Sequence, residues 1–89
     1  MAKYLPLEQH LRSLRSEVQE TTLSFRDIER LLGQSLPSSA REYREWWSNQ
    51  ADTSNRPQAK AWIAAGFEVV AVHQDGHAPS VRFKRSQRT

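Results

Sequence analysis

The chain has no cysteine, and in a domain of 89 residues that absence sets the terms of folding. A disulfide framework, a Cys-ligated zinc finger and a thiol nucleophile are all excluded. Stability must come from apolar packing, in a chain short enough to bury only about 60–65% of its unfolded surface. Hydrophobic residues are 37% of the total, so the core has to be built from a few large side chains. Three Trp, three Phe and two Tyr are the available material. One domain is expected over residues 1–85, followed by a basic tail at 86–89. No apolar run approaches a membrane span, and the first residues lack a signal-peptide core. The expectation is a soluble cytoplasmic protein without a membrane partner.

Charge is distributed unevenly. Thirteen Lys/Arg face ten Asp/Glu, a net of +3, but residues 1–56 are neutral. The excess lies in residues 57–89, where Lys60, Arg82, Lys84, Arg85 and Arg88 oppose only Glu68 and Asp75. A localised basic end favours a polyanionic partner more than the total does. A solubilising tail is the plain alternative.

Periodicity divides the chain into elements. Leu7, Leu11, Leu14 and Val18 recur at helical spacing, and Pro6 suits a first helical position, so a helix is predicted from Pro6 to Ser16. Thr21–Leu23 is a short β-favouring fragment. Ser24 can cap a second helix carrying Phe25, Ile28, Leu31 and Leu32, which Gly33 ends. Ser39 and Glu42 match a capping box, which predicts a third helix through Tyr43, Trp46 and Trp47 to Asn49. Pro57 starts a fourth helix with Ala59, Trp62 and Ile63 inward and Lys60 outward, and Gly66 stops it. Phe67–Val72 is a β-branched strand, Asp75-Gly76 a turn signal, and Val81–Arg85 alternates apolar with basic. Trp47 and Trp62 are expected in the core and Trp46 half buried.

This order of helix, short strand, three helices and hairpin resembles a winged helix-turn-helix domain, with one helix more than usual before the hairpin. The expected fold is therefore α+β and winged helix-turn-helix-like, with four helices, a short strand and a C-terminal β-hairpin. Either helix three or helix four could take the recognition position, and chain order favours helix four. The chain also resembles a small bacterial domain family of unknown function. The match is carried by Phe25, Ile28, Glu29, Leu32, Gly33, Leu36, Pro37, Ser39 and Ala40. It continues through Trp46, Trp47 and Asn49, and then through Ala61, Trp62, Ala65 and Gly66. The opening Lys3-Tyr4 and Pro6-Leu7 fits as well. Phe67 departs from the tryptophan usual there, and the hairpin loop His73–Ser80 is longer. The resemblance implies a fold rather than an activity, and the family's occurrence beside nuclease-like modules favours a nucleic-acid role.

Catalytic and metal chemistry find little support. His73 and His77 share a loop and His10 is distant in sequence, but no carboxylate or Cys cluster completes a site. No Gly-x-Ser-x-Gly elbow or paired nuclease carboxylates occur. No enzyme activity, cofactor or metal is expected. The richest polar set is Asn49, Ser54, Asn55, Arg56, Gln58 and Lys60, on the approach to helix four. Asn and Gln can pair with adenine and Arg or Lys with guanine in the major groove, although the same residues are ordinary in turns. Arg82, Lys84 and Arg85 would grip phosphate from the wing, with Arg41 and Arg44 of helix three as the rival base readers. The expected function is a double-stranded-DNA-binding module, a small transcriptional regulator that could dimerise through helix one. The alternative is a protein-interaction or accessory domain docking a larger enzyme or toxin.

Overall fold

A computed structural model describes residues 3–49 and 57–86. The helix α1 spans Leu5–Arg12 and is followed by β1, Glu20–Ser24. Then come α2 (Phe25–Leu32), α3 (Ser38–Glu42) and a 3₁₀ turn, Arg44–Trp47. Helix α4 (Pro57–Ala64) leads into the hairpin of β2 (Phe67–His73) and β3 (Ser80–Arg85). The strands form one antiparallel sheet in the order β1-β3-β2, so the last strand is the central one. Leu23, Phe67, Val81 and Phe83 face the helices and are buried. The helices cover that one face, as the period-2 alternation of β3 requires.

Aromatic rings hold the two layers together. Phe25 of α2 lies 5.1 Å from Trp47, Trp47 stacks on Trp62 of α4 at 5.8 Å, and Trp62 lies 5.7 Å from Phe83 of β3. The rings thus form a continuous line from helix to sheet, each contact adding about 0.5–1.5 kcal/mol beyond its buried area. Leu7, Leu11 and Ile28 close the core beneath it. Trp46 is half buried and meets Tyr4 edge-on.

Two predicted helices end earlier than their patterns suggest. Helix α1 stops at Arg12, where Ser13 Oγ donates to the His10 carbonyl at 2.6 Å. The chain beyond is held by Arg85, whose guanidinium donates to the carbonyls of Arg15 and Val18 at 3.1 Å each. The third helix is cut at Tyr43, which is extended (φ −119°, ψ 122°). Its Ser39–Glu42 capping box does not form, because the helix begins two residues' reach earlier with Pro37 at the N-cap. The break lets the Trp47 indole turn inward and donate from Nε1 to the Ala40 carbonyl at 2.8 Å. Burying that ring outweighs continuing a short helix.

The capping box forms instead at α2. Asp27 N–H donates to Ser24 Oγ at 2.9 Å, and Ser24 N–H donates to Asp27 Oδ2 at 3.1 Å. The backbone hydrogen bond from Ser24, and then its side chain, hold the Asp27 carboxyl below the usual aspartate range. A depressed folded-state pKa gives stability that is present above the unfolded value and lost as pH falls through the folded one. Asp27→Asn should therefore lie below wild type in melting temperature at neutral pH. The gap should close as pH falls through the ordinary aspartate range, about 4, and below it; thermal melts from neutral to acid pH check it.

Candidate functional site

Several of the residues expected to contact DNA are committed to contacts within the fold. Ser54, Asn55 and Arg56 lie outside the described residues. Gln58 is only 6% exposed, and its Nε2 donates to the Trp46 carbonyl at 3.1 Å, so it is a core amide and not a base reader. Asn49 is also committed to the fold. Its Oδ1 accepts from Trp62 Nε1 at 2.9 Å and from Val69 N–H at 2.8 Å, and its Nδ2 donates to the Val69 carbonyl at 2.7 Å. One side chain thereby pairs both main-chain groups of a β2 residue, as a neighbouring strand would. On α4 the exposed positions are Pro57, Lys60 and Ala64. Lys60 is the one charged group there, with no ion pair or hydrogen bond among the described residues.

The sheet order sets carboxylates beside the basic wing. Because β3 is central, both neighbours stand beside its cations. Arg82 is ion-paired with Glu20 of β1. Lys84 lies in register between Glu20 and Glu68 of β2. Opposite charges across strands attract, and two cations here meet two carboxylates. Arg85 points to the other side, over the Phe67 ring at 4.6 Å and onto the carbonyls already described. Phosphate at this face would displace Glu20 and sit beside Glu68. Glu20→Gln with Glu68→Gln should therefore create affinity for random duplex DNA, steepening the log–log salt slope by about two. Fluorescence anisotropy at several salt concentrations measures it.

Arg41 is tied down as well. Its Nη2 donates to Glu29 Oε2 at 2.9 Å, and the same oxygen accepts the Leu36 N–H at 2.8 Å, fixing the turn after α2. A hollow of about 300 Å³ lies beside it, walled by Ser24, Phe25, Arg26, His77 and Pro79. Arg44 differs from Arg41: it is exposed on the 3₁₀ turn and makes no ion pair or hydrogen bond among the described residues.

Arg44 stands at the rim of the larger concavity, a groove of about 500 Å³ between the 3₁₀ turn and the outer edge of β2. Trp47, Ser48, Val69, Val70 and Val72 line it. The pairing of β2 with β3 slips between Val69 and Ala71, a β-bulge at Val70, which is 44% exposed. Ser48 Oγ is buried with no hydrogen bond. Neither Val70 nor Ser48 stands out in the sequence as a binding residue. The consecutive Val69-Val70 does break the alternation of β2, which is the sequence trace of a bulge.

The described residues thus define an α+β domain in which four α-helices and a 3₁₀ turn pack on one face of a three-stranded antiparallel sheet. A groove opens at the sheet's edge. The chain belongs to the family described as Domain of unknown function (DUF7662), whose family model matches residues 4–86. No curated protein and no solved structure matches it. Among the described residues no helix is long and apolar enough to cross a membrane, and no three His, Cys, Asp or Glu side chains gather as metal ligands.

Proposed function

We propose that this domain is a protein-binding module, accessory to a larger partner, and that the β2 edge groove is its contact surface. The observation that carries the reading is where the cations stand. Arg41, Arg82 and Arg85 are engaged within the fold, and Lys84 is flanked by carboxylates. The larger of the two concavities is lined by Trp47, Ala71 and three valines as well as polar side chains, and borders the edge of β2 that meets no strand among the described residues. A sheet edge left without a neighbouring strand is a template on which an extended segment of another chain can add.

A winged helix-turn-helix DNA reader is the second reading. The β1-β3-β2 order, with a helix leading into the hairpin, favours it, as does the basic end of the chain. In-cell photo-crosslinking separates the two, with the crosslinking residue placed at Val70 in one variant and at Lys60 in another. Protein adducts from position 70, absent from position 60, support the proposal. Adducts to DNA from position 60 would overturn it in favour of the DNA reader.

A further inference from the structure

We infer that the β2 groove takes an extended segment of a partner protein that carries a carboxylate beside an aliphatic side chain. This rests on the protein-binding reading above and specifies the partner's chemistry. Strand β2 pairs only with β3, so its far edge meets no strand among the described residues. Asn49 satisfies that edge at Val69, and among the described residues no strand pairs with the stretch from Val70 to His73 on that side. An extended segment added at such an edge gains main-chain hydrogen bonds, while its alternate side chains enter the pockets beside it.

Three features of the groove select the segment. Val70, the residue skipped in the pairing, is 44% exposed and shares the wall with Val72 and Trp47, which suits an aliphatic side chain. Ser48 Oγ, buried without a partner, can exchange a hydrogen bond with the main chain of an added strand. Arg44 supplies the charge preference. It is exposed and has no ion pair among the described residues, whereas Glu45 next to it already has an interaction of its own. Glu68, on the outer face of β2, is in register with Lys84. A nucleic acid would also bring negative charge, but its phosphates offer nothing to the valine wall and no strand to the edge.

The experiment pans a display library of random short peptides against the full chain. Enriched peptides are then measured by anisotropy on wild type, Val70→Arg, Arg44→Gln and Ser48→Ala. Enriched sequences should place Asp or Glu within a few residues of Val, Ile or Leu. Val70→Arg should weaken binding about tenfold or more. Arg44→Gln should weaken it about three- to tenfold, most at low salt. Ser48→Ala should weaken binding while melting at or above the wild-type temperature, since it removes an unpaired buried hydroxyl; a merely structural Ser48 would lower it. Arg44 and Ser48 keep the test decisive if Val70→Arg fails to fold. Binders that need Val70 but contain no acidic residue would overturn this inference and leave the protein-binding reading standing. Failure to enrich any peptide, or binders indifferent to the variants, would overturn it, as would sedimentation showing that a second copy of the chain fills the groove through Val70.

Discussion

Trp62→Ala is expected to remove a large share of the stability of the folded domain. The side chain is fully buried, stacked on Trp47 with an interplanar angle of 21° and set 5.7 Å from Phe83, so it joins helix layer to sheet. Truncating a core tryptophan costs about 3–5 kcal/mol, against a total of about 5–10 kcal/mol for a domain of this size. The substitution also removes the indole N–H that Asn49 accepts. Trp47→Ala should behave alike, because it deletes the ring between Phe25 and Trp62 and leaves the Ala40 carbonyl without one donor. Trp62→Phe separates the terms, keeping most of the ring while losing the hydrogen bond, and should cost about 1–3 kcal/mol. Chemical denaturation followed by circular dichroism measures all three. A cooperative Ala-variant melt near wild type would mean that the ring line is peripheral.

Asn49→Ala carries the second largest effect, although the residue is exposed. It breaks three hydrogen bonds at once and disconnects the end of the 3₁₀ turn from both α4 and β2. Two of these bonds are water-accessible and the third is partly buried, which sets the cost at about 2–3 kcal/mol. The local signature should be sharper than the global one. The Val69 amide should exchange much faster with solvent, while amides in the β1–β3 ladder keep their relative protection. Unchanged Val69 exchange would show that Asn49 does not hold the edge.

Local signals carried most of the architecture. Pro6, Ser24, Gly33, Pro57 and Gly66 mark helix boundaries close to the observed ones, and the β-branched segment and the alternating one become β2 and β3. Trp47 and Trp62 are buried as their spacing implies. The third helix misled because Ala40, Tyr43 and Trp47 keep a helical period. What breaks it is tertiary, the demand of one indole for Phe25, Trp62 and a carbonyl. The site was less legible for a related reason. An amide side chain in a turn-rich stretch looks the same whether it faces a base or a backbone, and Asn49's partner Val69 is 20 residues away. Arg82 and Lys84 look like a positive stripe along the chain, yet their carboxylate neighbours arrive only through sheet pairing, 62 residues away for Arg82 and Glu20. Several residues that carry the family resemblance, Phe25, Glu29, Gly33, Asn49 and Trp62 among them, build the fold. They define what the domain is and leave its contacts to be read from the surface.

Titration of random-sequence duplex DNA with the full chain, at about 50 and about 200 mM salt, separates protein contact from DNA contact. The proposal is that the cations of β3 are neutralised within the sheet and that the domain works through protein contact. It predicts weak binding with a shallow salt slope, unchanged when Arg82 and Lys84 are both replaced by Gln. Tight binding that falls steeply with salt, and that the double replacement weakens and flattens, would contradict it.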